Sequence, residues 1–170
     1  WKVYAENYPG NCFKGDKNST YARKHVPFLS FTNVTTTAKC QNVLSDQTFF
    51  TDWKNNQLGH YTMYIPNLRN DGHDTTIAYS SNWLKKTFDT AFNDPVMMKD
   101  TLIILTYDEG AKVLSKNQIY TVLLGSMVKA GTQINEAHNH YSILKMIENE
   151  WRLGSLNLND AKAPNITGLW

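Results

Sequence analysis

Residues 101–110 read TLIILTYDEG, the most strongly patterned segment of the chain. The run from Thr101 to Tyr107 is almost wholly apolar and rich in β-branched side chains, which is typical of a buried parallel strand. A second run of this kind, YTVLL, occupies residues 120–124. The sequence therefore predicts two buried strands, the first of which ends at Asp108 and Glu109.

Helical patterns alternate with these strands. Apolar side chains recur at near-helical spacing from Thr76 to Phe92, where Asp74 or Thr75 is placed to cap the helix start. Residues 140–151 carry a second apolar stripe, formed by Ile143, Leu144, Ile147 and Trp151. A short helix over residues 47–56 and a strand over residues 61–65 precede both. We therefore expect an α/β fold and one continuous unit spanning residues 1–170, since no repeat or linker divides the chain.

The charge distribution names no partner. The chain has 17 basic and 15 acidic residues and a formal net charge of +2. These charges are scattered along the sequence. A basic stripe interleaved with aromatic residues would suggest nucleic-acid binding, and the sequence contains none. The longest apolar runs are strand-sized, well short of the roughly 20 residues that a bilayer requires. We expect neither a nucleic-acid partner nor a membrane span.

Cys12 and Cys40 are the only cysteines, and they lack the spacing of a metal-binding pair. A disulfide is the favoured interpretation. Glycosylation sequons begin at Asn18, Asn33 and Asn165. Together these features favour a secreted or cell-wall-associated glycoprotein. The alternative is a cytosolic protein with two inert buried thiols.

The amino-terminal part of the chain carries two further expectations. The stretch from Tyr8 to Thr37 is rich in Gly, Asn, Ser and Thr, which predicts a long surface excursion pinned by the disulfide. The chain begins at Trp1 without Met and without a signal-like segment. We therefore expect a processed product, a fragment or one segment of a longer protein.

Asp108 and Glu109 are adjacent carboxylates at the predicted strand end. Ligands of open α/β sheets gather outside the carboxyl ends of the strands. Carboxylate oxygens are hard ligands of the kind that divalent cations prefer. The pair therefore suggests a cation site of unknown metal identity, and the alternative is a solvated acidic turn.

Residues 66–74 read PNLRNDGHD, and their composition predicts a tight turn that directs His73 and Asp74 outward. The imidazole of His73 suits three roles: metal ligand, hydrogen-bond donor to a phosphoryl oxygen, or general acid. The alternative is a turn histidine beside a capping Asp74. The sequence alone leaves these roles open.

Taken together, several stretches show a resemblance to a known family. These are, in order, WKVYAE at 1–6, YARKHVPF at 21–28, PNLRNDGHD at 66–74, TLIILTYDEG at 101–110 and HYSILKMIE at 140–148. Their order resembles the phosphoesterase family of bacterial phospholipases C and acid phosphatases, with the secreted fungal acid phosphatases looking most similar. The similarity spans nearly the whole chain.

The resemblance implies an alkaline-phosphatase-like α/β sandwich with a mostly parallel central sheet, of which this chain is an incomplete, C-terminal portion. It also implies metal-dependent hydrolysis of phosphate esters by a hydroxyl nucleophile. Asp108 and Glu109 match the metal-binding pair of the family, while His25 and His73 match histidines that face the bound phosphate and take part in catalysis. The supporting residues we expect around them are Asp71, Asp74 and His140.

The chain also departs from the family pattern. The family completes its metal site with an earlier Glu-Asn pair and places its Ser or Thr nucleophile between that pair and the Trp-Lys segment, so both would precede Trp1. Glu6-Asn7 resembles that pair in letters only. Residues 111–114, AKVL, replace a Gly and Asp-His-Val pattern.

These departures bear on activity. We expect the missing N-terminal half of the same domain to be a partner, and we expect the chain to be inactive alone. The rival interpretation is a secreted binding or structural remnant of this fold. A carbohydrate-binding module is a third interpretation, with no motif behind it.

Overall fold

The computed structural model describes residues 1–110 and 116–170. The departure at residues 111–114 lies outside the described residues. Two compact units are present, Trp1–Met98 (unit 1) and Lys99–Trp170 (unit 2). The expectation of one continuous unit stays a prediction.

Unit 1 is built on a three-stranded parallel sheet with β1 (Lys2–Ala5) between β4 (Val43–Ser45) and β5 (Thr62–Ile65). Its other strands, β2 (Lys17–Asn18) and β3 (Tyr21–Ala22), form an antiparallel pair. Its helices are α1 (Thr32–Thr35), α2 (Phe49–Lys54) and α3 (Ile77–Phe92). Short 3-10 turns cover Arg23–His25, Pro27–Ser30, Ala38–Asn42 and Asp46–Thr48. The α/β class and a parallel sheet are confirmed here, as are the predicted strand near 61–65 and helix near 47–56.

The central strand β1 is fully enclosed. Val3, Tyr4 and Ala5 retain at most 1% of their surface. Successive side chains of a strand point to opposite faces, so Val3 and Ala5 share one face and Tyr4 lies on the other. The sheet is therefore covered on both faces, as parallel sheets require.

Aromatic rings cover the Tyr4 face. Phe49 of α2 is their centre, with ring centroids 5.1 Å from Tyr4, 4.7 Å from Tyr64 and 6.1 Å from Phe88 of α3. Its contacts with Tyr4 and Tyr64 are edge-to-face, a geometry that adds about 0.5–1.5 kcal/mol per pair beyond burial. This cluster holds both helices against the sheet.

The opposite face is covered by the Tyr8–Thr37 segment, which corrects the prediction of a surface excursion. Tyr21, Val26 and Leu29 are buried in one cluster with Val3 and with the other core residues Ala5, Tyr8, Cys40 and Val43. The composition of the segment hid these few apolar residues among many polar ones. The predicted disulfide between Cys12 and Cys40 is confirmed, with Cα atoms 5.7 Å apart.

The helix predicted over 76–92 is confirmed as α3, but its predicted cap was wrong. The hydroxyl of Thr76 accepts the amide of Tyr79, so Thr76 is the N-cap instead of Asp74 or Thr75. Asp74 is instead bonded to His73. The start of the apolar stripe was also wrong, since Ile77 in the first turn is 75% exposed.

Unit 2 contains β6 (Ile103–Thr106), β7 (Thr121–Leu124), α4 (His140–Glu150) and α5 (Asn159–Lys162). Both strands were predicted, but as buried members of a parallel sheet. They pair antiparallel with each other, and their apolar residues are only half-buried. An apolar run indicates that the side chains of a strand are buried, but it does not show whether the neighbouring strand is parallel or antiparallel.

The helix predicted over 140–151 is confirmed as α4, which begins with a capping box formed by Asn139 and Ser142. Its apolar stripe was overestimated: Trp151 lies just past the last turn and is 44% exposed. In the described part of the chain, no helix combines the length and the apolar character that crossing a membrane requires.

Removing the disulfide tests the architecture of unit 1. Cys12 and Cys40 are 28 residues apart, so their bond restricts a long loop of the unfolded chain. Replacing both with Ser is expected to lower the free energy of unfolding by about 2–4 kcal/mol, measured by denaturant titration. Reductant should destabilise the natural chain and leave this double variant unaffected. If the disulfide-bonded natural chain and the double variant were equally stable without reductant, this role of the disulfide would be refuted.

Candidate functional site

His25 lies at the end of the Arg23–His25 turn, directly before the buried Val26. Its side chain is 24% exposed, and its Nδ1 lies 3.2 Å from Oδ2 of Asp71, which is 21% exposed. A carboxylate on Nδ1 fixes the orientation of the ring. The ring is therefore held by a residue of the segment that carries His73.

That segment, Asn67–Asp74, follows β5 as a closed loop. Oδ1 of Asn67 accepts the amides of Arg69 and Asn70 at 3.0 and 3.1 Å. Gly72 has a φ of 93°, and a Cβ there would lie 3.0 Å from the hydroxyl of Ser80. The turn predicted from composition is confirmed, and Gly72 is needed for it.

Asp71 joins the two histidines. While its Oδ2 faces His25, its Oδ1 accepts the backbone amide of His73 at 2.7 Å. The ring centroids of His25 and His73 lie 5.8 Å apart. The structure thus brings together the two histidines that the sequence analysis singled out.

His73 faces a second carboxylate, that of Asp74. Its Nδ1 lies 2.8 Å from Oδ1 of Asp74, and this hydrogen bond holds the pKa of Asp74 below its ordinary value. The charges of His73, Lys17 and His25 act in the same direction. Both side chains are about half exposed. His25 and His73, here called the histidine pair, lie with Asp71 and Asp74 in one open surface cluster.

The geometry limits what the histidine pair can bind. Nδ1 of each ring faces a carboxylate, while none of the described protein groups hydrogen-bonds Nε2 of His25 or His73. A protonated imidazole donates from both nitrogens, and a neutral one bonded through Nδ1–H accepts at Nε2. When protonated, the pair presents two donors of the kind that phosphate oxygens accept.

In unit 2, Asp108 and Glu109 follow β6, and both are exposed. Oδ1 of Asp108 accepts the amide of Glu109 at 2.9 Å. His140, the first residue of α4, donates from Nε2 to the backbone carbonyl of Asp108 at 2.7 Å. His140 therefore anchors the backbone of the carboxylate pair. Because β6 has an antiparallel partner, the rule about carboxyl ends of parallel strands does not apply here.

The donor chemistry of Asp108 and Glu109 fits a hard divalent cation, since both offer carboxylate oxygens. The number of donors is smaller than a complete site needs. Within residues 1–110 and 116–170, no group of three His, Cys, Asp or Glu side chains is placed to hold a metal ion. The metal roles of Asp108 and Glu109 stay a prediction.

The three sequon asparagines, Asn18, Asn33 and Asn165, are all exposed. Asn18 lies in β2 and Asn33 in α1. Exposure is the condition that a glycan acceptor must meet, and glycosylation itself stays a prediction.

Sequence reasoning gave Glu6 no role. This carboxylate directly follows β1, is 8% exposed, and accepts the backbone amide of Asn67 at 2.8 Å. An acidic residue immediately after a buried strand was the available signal, because a charge so placed needs partners.

Replacing His73 with Gln tests the histidine pair. We expect the pKa of Asp74 to rise toward its ordinary value, because its main hydrogen bond is lost. A lowered folded-state pKa means that the carboxylate stabilises unit 1 above the ordinary Asp pKa of about 4, and that this contribution is lost as pH falls through the lowered value. Carbon-13 NMR of the Asp side chains measures the change.

The matched control replaces the exposed His60 with Gln and should leave the pKa of Asp74 unaffected. An unchanged pKa of Asp74 in both variants would refute the contact.

Comparison with known proteins places these residues in a family. The sequence profile of the Phosphoesterase family matches residues 1–154. No solved structure shows a significant match.

Curated relatives agree with the profile. The chain is 34% identical to a probable acid phosphatase of Kluyveromyces lactis and 32% identical to an acid phosphatase of Aspergillus fumigatus, over 96% of its length in each case. It is 33% identical over 98% of its length to a phosphatidylinositol-3-phosphatase of Mycobacterium tuberculosis. The chain spans 41%, 39% and 53% of these three relatives, respectively. By profile and by relatives, the chain belongs to the phosphoesterase family.

Proposed function

We propose that the protein containing this chain hydrolyses phosphate esters with the help of a divalent cation, as an acid-phosphatase-like phosphomonoesterase. The observation that carries the proposal is the histidine pair: two imidazoles 5.8 Å apart, each with Nδ1 facing a carboxylate. Family membership and relatives named acid phosphatases support the reaction class.

In this proposal His25 and His73 bind the phosphoryl group through Nε2. Asp71 and Asp74 orient the rings through their contacts with Nδ1. Positioned donors of this kind are worth about 2.7–4 kcal/mol when they meet charge that develops in a transition state. The pair would neutralise charge on the phosphoryl and leaving-group oxygens, and a protonated His73 suits a general acid.

Asp108 and Glu109 are the proposed cation ligands, with His140 holding their backbone. A divalent cation would polarise a phosphoryl oxygen and favour ionisation of an attacking hydroxyl. The family's Ser or Thr nucleophile and its Glu-Asn pair have no counterparts among the motifs of this chain. We propose that a further N-terminal segment of the same domain supplies them.

Two observations support the involvement of a further segment. The chain spans about two fifths of the fungal relatives' length. In unit 2, Leu153, Leu156 and Leu158 are 65–68% exposed, which is apolar surface of the kind that another segment covers.

A secreted or cell-wall-associated location is part of the proposal. The disulfide and the exposed Asn18, Asn33 and Asn165 support it, since such bonds persist in oxidising compartments and glycans require exposed acceptors.

Binding of inorganic phosphate to the chain tests the histidine pair without requiring turnover. Replacing His25 or His73 with Gln is expected to weaken binding about tenfold or more, because one charge-assisted hydrogen bond is lost. Phosphorus-31 NMR titration measures the affinities. If the His25→Gln and His73→Gln variants bind phosphate as tightly as the His60→Gln control does, the role is refuted.

The cation role is tested by calorimetric titration with Mg²⁺, Mn²⁺, Ca²⁺ and Zn²⁺. Replacing both Asp108 with Asn and Glu109 with Gln should abolish binding of whichever cation the natural chain takes, because the oxygen ligands lose their charge. The control replaces the exposed Glu136 and Glu150 with Gln, which makes the same charge change. Equal loss in both double variants would show that only general charge matters.

The reaction itself is tested on native material by intact mass and N-terminal sequencing, together with hydrolysis of a generic phosphomonoester with and without chelator. A longer or co-purifying chain with chelator-sensitive turnover is the expected result. The rival proposal, a secreted binding or structural remnant, predicts a lone 170-residue chain that is inactive.

A further inference from the structure

Glu6 is a buried carboxylate that the proposed chemistry does not use. It follows β1 and is 8% exposed. Its Oε2 accepts the backbone amide of Asn67 at 2.8 Å and the side-chain amide of Asn70 at 2.7 Å, and its Oε1 accepts the hydroxyl of Tyr64 at 3.3 Å. A buried charge is costly unless donors replace its water, and here three donors do so.

The donors show what Glu6 holds. Asn67 and Asn70 form the first half of the Asn67–Asp74 loop. The loop then supplies Asp71, which faces His25, and His73 itself. Glu6 therefore anchors the start of the loop that positions the histidine pair.

The next residue, Asn7, ties the other segment to the same point. Its Oδ1 accepts Nδ2 of Asn67 at 2.8 Å and the hydroxyl of Thr20 at 2.9 Å. The carbonyl of Thr20 also accepts the amide of Leu68 at 3.0 Å. Thr20 leads directly into β3 and the turn that ends at His25. Both histidine-bearing segments are thus fastened to residues 6–7 at the carboxyl end of β1.

We propose that Glu6 is a positioning residue for the histidine pair. It acts by fixing the Asn67–Asp74 loop, without contact to phosphate or cation. The alignment of both rings depends on it, because the loop it holds supplies both His73 and the Asp71 that faces His25. A displacement of about 1 Å at a site of this kind costs about a hundredfold in rate. The effect of Glu6 on catalysis rests on the proposed function, whereas its effect on the positions of the two imidazole rings does not.

Two substitutions separate positioning from a role that needs the charge. In Glu6→Gln, one amide oxygen can still accept from both Asn67 and Asn70 while its NH₂ faces Tyr64, so the loop is largely kept. In Glu6→Ala all three donors lose their acceptor. We expect proton–nitrogen imidazole spectra, recorded without phosphate, to show altered His25 and His73 resonances in Glu6→Ala and near-natural ones in Glu6→Gln. Phosphate affinity should fall about tenfold in Glu6→Ala and far less in Glu6→Gln.

The control is Asp52→Asn, which weakens a part-buried contact to the hydroxyl of Tyr4 in the same unit without touching the loop. It should lower stability and leave the imidazole resonances unchanged. If Glu6→Ala does not fold, Asn70→Ala, which removes one loop donor, decides the matter by the same spectra.

The proposal is overturned if the ring resonances stay natural in folded Glu6→Ala or in Asn70→Ala, or if Glu6→Gln and Glu6→Ala lose phosphate affinity equally. A natural chain that binds no phosphate would instead overturn the proposed function. The phosphate-free spectra would still decide the role of Glu6.

Discussion

The pairing of β1 with β4 on one side and β5 on the other is the constraint on which unit 1 depends. It encloses Val3, Tyr4 and Ala5 and separates the disulfide-linked segment on one face from the aromatic layer of α2 and α3 on the other. Because both pairings are parallel, residues that follow β1 and β5 emerge at the same edge of the sheet. Glu6 and Asn67 meet there for this reason.

From that edge, a series of polar contacts leads to the two histidines. Glu6 and Asn7 hold Asn67, the Asn67–Asp74 loop presents Asp71 and His73, and Asp71 reaches His25. The links to Glu6 are part-buried, so the donors there would cost energy if their acceptor were lost. The two imidazoles thus lie on the surface, yet their Nδ1 atoms are fixed by groups connected to the core.

The sequence predicted those parts of the structure that local patterns encode. The helix predicted over 76–92, the turn at 67–74 and the disulfide each follow from neighbouring residues or from the cysteine count, and all three were confirmed. The partner of β6 could not be predicted, because an apolar run has the same appearance in a parallel and an antiparallel pair. The burial of Tyr21 and Val26 was missed because few apolar residues lay within a polar segment.

The candidate site shows the same division. The resemblance predicted that His25 and His73 both face the bound phosphate, but the contacts that bring them together depend on β1 and β5 being neighbours, which no local pattern encodes. The role of Glu6 depends on the same pairing. Long-range register, more than residue chemistry, was the part that sequence reasoning could not supply.

A crystal structure of the chain grown with inorganic phosphate at mildly acidic pH would show whether the histidine pair is a phosphate site. The account predicts one phosphate ion with oxygens about 2.7–3.1 Å from Nε2 of both His25 and His73, with Nδ1 of each ring still facing Asp71 and Asp74. A structure in which both Nε2 atoms contact only water or protein groups, with phosphate absent or bound elsewhere, would contradict it.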